Sequence, residues 1–168
     1  TPTDLTDKNS GVELPATEAR PYAARVLANP NGVEIGGSGE YFLVENRQNS
    51  GFDAKLPGCG VLIWHVDESR TANNREGTSL SSHRLLDVAE ADGNPQDLDG
   101  AFDSTNVGDA GDPFPGTTNN RLFTDTSVPS AQLYGGANSG VRVRIASRDA
   151  CSTSMLTAFG NPTQLTFE

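Results

Sequence analysis

Lysine, histidine and cysteine each occur only twice, as Lys8 and Lys55, His65 and His83, Cys59 and Cys151. Twelve cationic side chains face 22 acidic ones, and the net charge is −10. That balance argues against nucleic acid as a partner, because binding phosphates requires a cationic surface. It argues equally against docking on anionic lipid. Zinc takes three or four ligands, chiefly nitrogen and sulfur, and two separated histidines with two distant cysteines do not form such a set. No Gly-x-Ser-x-Gly elbow, Gly-x-x-x-x-Gly-Lys loop or His-Glu-x-x-His helix occurs, so the chain carries no catalytic motif of those classes. No apolar run approaches the roughly 18 residues of a membrane helix, and no signal peptide is visible.

What is present is turn chemistry. Eighteen glycines and ten prolines accompany an apolar fraction of 35%, a mixture that suits short strands joined by many turns. EYFLVENRQ (40–48) and VLIWHVD (61–67) are strands rich in aromatic and branched residues. A Gly/Pro-rich connection makes them a long-loop hairpin. YAARVLA (22–28) is a further strand, and LLDVAEAD (85–92) is a strand or a short helix. VRVRIAS (141–147) alternates cleanly, with Val141, Val143 and Ile145 inward and Arg142 and Arg144 outward. SMLTAF (154–159) and TQLTFE (163–168) supply closing strands. The fold class is therefore all-β, an antiparallel β-sandwich or barrel-like sheet with long Gly/Asp-rich loops. Residues 1–20 are polar without sustained period and read as a lead-in or linker before a β-rich domain over 21–168. The chain opens at Thr1 rather than Met, which reads as a fragment of something longer.

His65 attracts attention because strand alternation puts it on one face with Asp67, where the two can share an ion or a hydrogen bond. A satisfied strand histidine is the commoner outcome. The acidic stretch is the stronger signal. Asp87, Glu90, Asp92, Asp97, Asp99, Asp103, Asp109 and Asp112 lie close along the chain with Arg84 alongside. Folding them together costs repulsion that a divalent cation would remove. Calcium accepts six to eight hard oxygen ligands and tolerates irregular loops. AEADG (89–93) and GDAGDPFPG (108–116) set carboxylates beside glycines, where carbonyls can turn inward. An EF-hand is excluded, since the frame of DLDG would put Pro95 first and Asn106 last among the ligands. Glu45 with Arg47, and Asn46 with Gln48, form either a solvated strand end or a polar network against the next strand.

If Cys59 and Cys151 pair, they close a loop of roughly ninety residues, for which chain entropy gives about 4–5 kcal/mol. Two cysteines in such a chain suit an exported protein.

EYFLVENRQNSGFDAKLPGCGVLIWHVDES, then LLDVAEADG, GDAGDPFPG and SGVRVRIAS, occur in one order over roughly residues 21–147. This series resembles the region that follows the catalytic domain in secreted immune-inhibitor-A-like metallopeptidases. The family's zinc site is a His-Glu-x-x-His helix lying upstream of these blocks, so zinc would belong to a separate catalytic domain and no catalytic residue carries over. The resemblance implies a non-catalytic β-rich segment of a secreted, calcium-dependent protease, packed on or beside the catalytic domain of the same parent chain. Glu90, Asp92, Asp109 and Asp112 match the family's acidic blocks, and coordination chemistry makes them the expected calcium ligands. Cys59 stands where the family would be expected to carry a small residue. An alternative class is a free-standing module that grips carbohydrate or protein, with Trp64, Tyr22, Tyr41 and Tyr134 as stacking platforms. A small hydrolase with paired carboxylates is a third.

Overall fold

In a computed structural model that describes residues 2–5, 9–27, 39–73, 82–94, 108–147, 149 and 151–160, the two most apolar stretches form the longest strands. They are β4 (Glu40–Arg47) and β5 (Gly60–Asp67), antiparallel with Phe42 opposite His65 and Val44 opposite Ile63. Alternation sends Phe42, Val44, Val61 and Ile63 into the core and leaves Leu43, Leu62 and Trp64 half-buried on the outer face. β1 (Thr3–Leu5), β3 (Ala24–Leu27) and β6 (Leu86–Val88) complete a five-stranded sheet in the order β1-β3-β4-β5-β6. The facing four-stranded sheet runs β2-β9-β8-β7, from β2 (Asn9–Pro15), β7 (Leu122–Thr124), β8 (Arg142–Ile145) and β9 (Ser154–Gly160). All pairings are antiparallel except β1 with β3, and the sheets do not close into a barrel. The fold is a β-sandwich.

Residues 1–20, expected as a lead-in, instead contribute two strands. β1 pairs with β3, and β2 pairs with β9 near the far end of the chain. Local pattern carries little of this order. Leu14 is fully buried, and the Thr157 hydroxyl donates to the Val12 carbonyl at 3.0 Å. Gly11, at φ +70°, lies in the register shift between Asn9 and Val12. The expected strand at 163–168 lies outside the described residues, as do residues 95–107 of the acidic stretch. LLDVAEAD is a strand only over Leu86–Val88.

Core aromatics fix the loop that matters most. Phe114 is fully buried and sets its ring 6.1 Å from Phe123, which in turn meets Phe42 at 5.2 Å, both edge-to-face. Truncating such a side chain costs about 3–5 kcal/mol. Phe114 also exchanges both backbone bonds with Val61 at 2.8 Å, docking its loop on the start of β5. Gly60 permits that approach, since a Cβ there would collide with the Phe114 carbonyl. The two sheets are joined at Asn46, whose amide donates to the carbonyls of Leu14 and Ser152 at 3.0 Å. Cys59 and Cys151 form a disulfide spanning 92 residues, linking the entry of β5 to the β8–β9 connection. A loop of that length corresponds to about 4–5 kcal/mol of chain entropy.

Candidate functional site

The two acidic blocks meet. The Ala91 amide donates to the Asp112 carbonyl at 2.8 Å, and the Asn120 amide donates to the Ala91 carbonyl at 2.8 Å. This holds AEADG against GDAGDPFPG and gathers Asp92, Asp109 and Asp112, one carboxylate oxygen of each lying within 4.8 Å of the others. Asp112 is buried, Asp92 half-buried and Asp109 exposed. Backbone amides shape the group. Asp109 N donates to Asp112 Oδ2 at 2.7 Å, Asn94 N donates to Asp92 Oδ1 at 2.9 Å, and Gly111 N donates to Asp109 Oδ1. Gly111 leaves room at the centre: a Cβ there would collide with Asp92 Oδ2 and stand 2.8 Å from Asp109 Oδ1.

These residues fit a hard cation. Two oxygens on opposite sides of a calcium ion are separated by at most about 5 Å, which the trio satisfies. The donors are oxygen alone, the set that suits calcium, magnesium or manganese rather than zinc. Of the four expected ligands, the structure brings Asp92, Asp109 and Asp112 together and leaves Glu90 out of the group. Glu90 is buried, and it lines a cavity with Phe42 and His65.

The histidines form a different centre. His65 and Asp67 share a face as expected, but each takes another partner. His65 Nε2 lies 2.8 Å from Glu40 Oε2, and His83 Nε2 lies 2.6 Å from Asp67 Oδ2. Tyr134 is stacked between the imidazoles, with ring centroids 4.1 Å from His65 and 3.7 Å from His83. The Tyr134 amide donates to Glu40 Oε2 at 2.9 Å. Burial acts to raise the Asp67 carboxyl, yet the bonds from Ser69 and the contact with His83 outweigh it, and its pKa is lowered. His83 and Tyr134 come from polar segments without periodicity, so no local pattern announces the stack. The scarcity of histidine is the one clue, since both copies in the chain are used here.

The end of β4 is a polar network crossing to β5. Arg47 contacts Glu45 at 2.9 Å and Asp53 at 2.6 Å, and the Trp64 indole donates to Glu45 Oε1 at 3.0 Å. Gln48 donates to Asn46 Oδ1 at 2.6 Å. Trp64 is thus half-buried and tethered, Tyr41 is buried, and Tyr134 has a histidine on each face. No protein-family model matches the chain, and no curated protein matches it. No helix among the described residues is long and apolar enough to cross a membrane.

Proposed function

We propose that this chain is the non-catalytic, calcium-stabilised β-sandwich of a secreted immune-inhibitor-A-like zinc metallopeptidase, packed on or beside its catalytic domain. The observation that supports it best is the meeting of AEADG and GDAGDPFPG, the two acidic blocks of the resemblance, in one oxygen-lined group around Gly111. Asp92, Asp109 and Asp112 would hold the ion, with carbonyls and water completing the shell. Bound calcium supplies the positive charge that offsets three gathered carboxylates and so ties the two loops together. Phe114 and the Val61 bonds transmit that bracing to the core. The disulfide is compatible with an extracellular site of action.

Two measurements test this. The pure isolated chain should show no caseinolysis, and robust chelator-sensitive proteolysis would overturn the non-catalytic assignment. Elemental analysis after dialysis against calcium should find bound metal, and its absence would discard the calcium assignment.

A second reading, a free-standing binding module, draws on one observation. Leu62, Trp64, Leu86 and Val88 on the outer sheet face line a cavity of about 330 Å³, rimmed by Arg47 and Arg84. A glycan array without binding would count against it.

A further inference from the structure

The loop between β4 and β5 is ordered by polar bonds yet displays an aromatic ring. Asn49 Nδ2 donates to the Leu56 carbonyl at 2.9 Å, the Leu56 amide donates to the Asp53 carbonyl at 2.9 Å, and Arg47 holds the Asp53 carboxylate at 2.6 Å. None of these bonds buries Phe52, which stands wholly exposed in the 3-10 turn Gly51–Asp53. A single exposed apolar residue is ordinary. Phe52 has company. Leu56 is also exposed, and with Pro57, Leu62, Trp64 and Leu86 it lines the cavity of about 330 Å³ on the outer sheet face. Arg47, which holds the residue after Phe52, lines the same cavity. Ring and hollow are therefore neighbours on one face.

We propose that the hollow is filled by a second copy of this chain, Phe52 of each copy seating in the cavity of the other about a two-fold axis. The inference is independent of the calcium reading. A projecting ring beside a hollow that it leaves empty in its own chain is the self-complementary pattern an isologous dimer requires. The volume suffices, since an apolar cavity of about 150 Å³ admits benzene. Charge points to the same occupant. Lys55 is exposed and makes no ion pair among the described residues, whereas the exposed Asp109 belongs to the cavity lining, so each copy brings a cation toward the other's acidic edge. A lipid surface would receive Phe52 but leave the hollow unfilled. The net charge of −10 on each copy opposes approach. Contact limited to one loop and one hollow is also small, which places the dimer in the weak class that buries less than about 1,200 Å².

The test is sedimentation equilibrium of the full chain at fixed ionic strength and fixed calcium, from micromolar to millimolar concentration. A reversible monomer–dimer equilibrium is expected, and amide NMR over the same dilution series should move Leu56, Leu62 and the Trp64 indole together. Phe52→Ala should weaken dimerisation about thirty-fold or more, the loss expected of an aromatic anchor at the centre of an interface. The variant should fold as the parent does, since the ring is wholly exposed. Phe52→Trp should retain the dimer. Leu56→Asp tests the cavity side and should weaken it comparably, whereas Lys55→Ala should weaken it about two- to five-fold, as for an exposed ion pair. A chain that stays monomeric to millimolar concentration, a dimer indifferent to Phe52→Ala, or dilution shifts away from the cavity would each overturn the proposal. Phe52-dependent binding to phosphatidylcholine vesicles by a chain that remains monomeric would assign the loop to a lipid surface and overturn it as well.

Discussion

Asp67 and Asp112 are almost equally buried, at 3% and 5% exposure, yet their surroundings differ in kind. Asp67 accepts bonds from the Ser69 amide and from His83, a group able to carry the opposite charge. Asp112 accepts from the backbone of Asp109, and its carboxylate is gathered with two others. The first centre draws its hydrogen-bond partners from within the fold. The second gathers three carboxylates, and on the proposed calcium reading an ion from solution would offset part of their charge. Residue type and depth are alike, and the calcium proposal expects opposite dependence on solution, a contrast that can be broken from either side.

The largest effect should come from the self-contained side. His83→Ala leaves Asp67 buried beside the Ser69 amide and removes one face of the Tyr134 stack. Loss of one partner of a buried pair costs about 3–5 kcal/mol, measurable by urea denaturation. A cost under about 1 kcal/mol, the scale of an exposed pair, would show that Asp67 does not depend on His83. Calcium affinity of the variant should stay at the parent value.

On the other side, removing calcium should cost about 2.7 kcal/mol if the ion is initially at one hundred times its dissociation constant. For a chain of this size that is a fall in Tm of about 5–10 °C. Asp112→Asn should abolish the calcium-dependent shift, whereas Glu90→Gln should retain it, since Glu90 lies outside the trio. An equal loss in both variants would place Glu90 among the ligands. Gly111→Ala is the finer probe. Its Cβ must displace Asp92 Oδ2, and calorimetry should show calcium binding about ten-fold or more weaker, the equivalent of a modest overpacking cost. Unchanged affinity would show that the carboxylates move aside freely.

Much of the sandwich was legible in the sequence, for a definable reason. In β4, β5 and β8 the side chains that alternate are largely those that pack, so Val143 and Ile145, with Val141 just before β8, are buried, while Arg144 is exposed and Arg142 half-buried. β2 was not legible because its order comes from β9, far along the chain, and a polar strand between turns has no local signature. The acidic trio was visible as composition and spacing, since AEADG and GDAGDPFPG each hold carboxylates beside glycine. Glu90 belongs to the same acidic block of the resemblance as Asp92, yet the fold carries it toward the cavity beside His65. Pairing of the cysteines, left open by counting, depends on a distance between segments that composition does not encode. The His65–Tyr134–His83 stack depends on three segments meeting at once.

Acid separates the two centres again. Because the folded-state pKa of Asp67 is lowered, its contribution is complete above the ordinary value of 3.8 and is lost as pH falls through the folded value. Asp67→Asn should therefore flatten the acid limb of a stability–pH profile recorded in chelator. In calcium the parent should show an additional acid-sensitive loss, because protonation of the trio releases the ion, and Asp112→Asn should lack that part. Identical acid limbs with and without calcium would sever the trio from metal binding.

The smallest effect tests whether a carboxylate partner alone defines a self-contained centre. Tyr41 on the outer face donates its hydroxyl to Glu68 at 2.8 Å, with Arg25 set 5.6 Å from its ring. Burial, followed by that bond and the charge of Glu68, pushes the phenol up to about 12. A raised acid favours the folded state while the phenol stays neutral, so its contribution is intact below the ordinary value of 10.0 and declines as pH rises toward about 12. Tyr41→Phe should cost about 1 kcal/mol at neutral pH, the net worth of one hydrogen bond, and should flatten the alkaline limb. Phenolate absorbance should show one tyrosine lagging behind the others, and a variant with the same lag would assign it elsewhere. Because Glu68 lies outside the acidic trio, the Tyr41 effect should be the same in calcium and in chelator, as for Asp67 and unlike the trio.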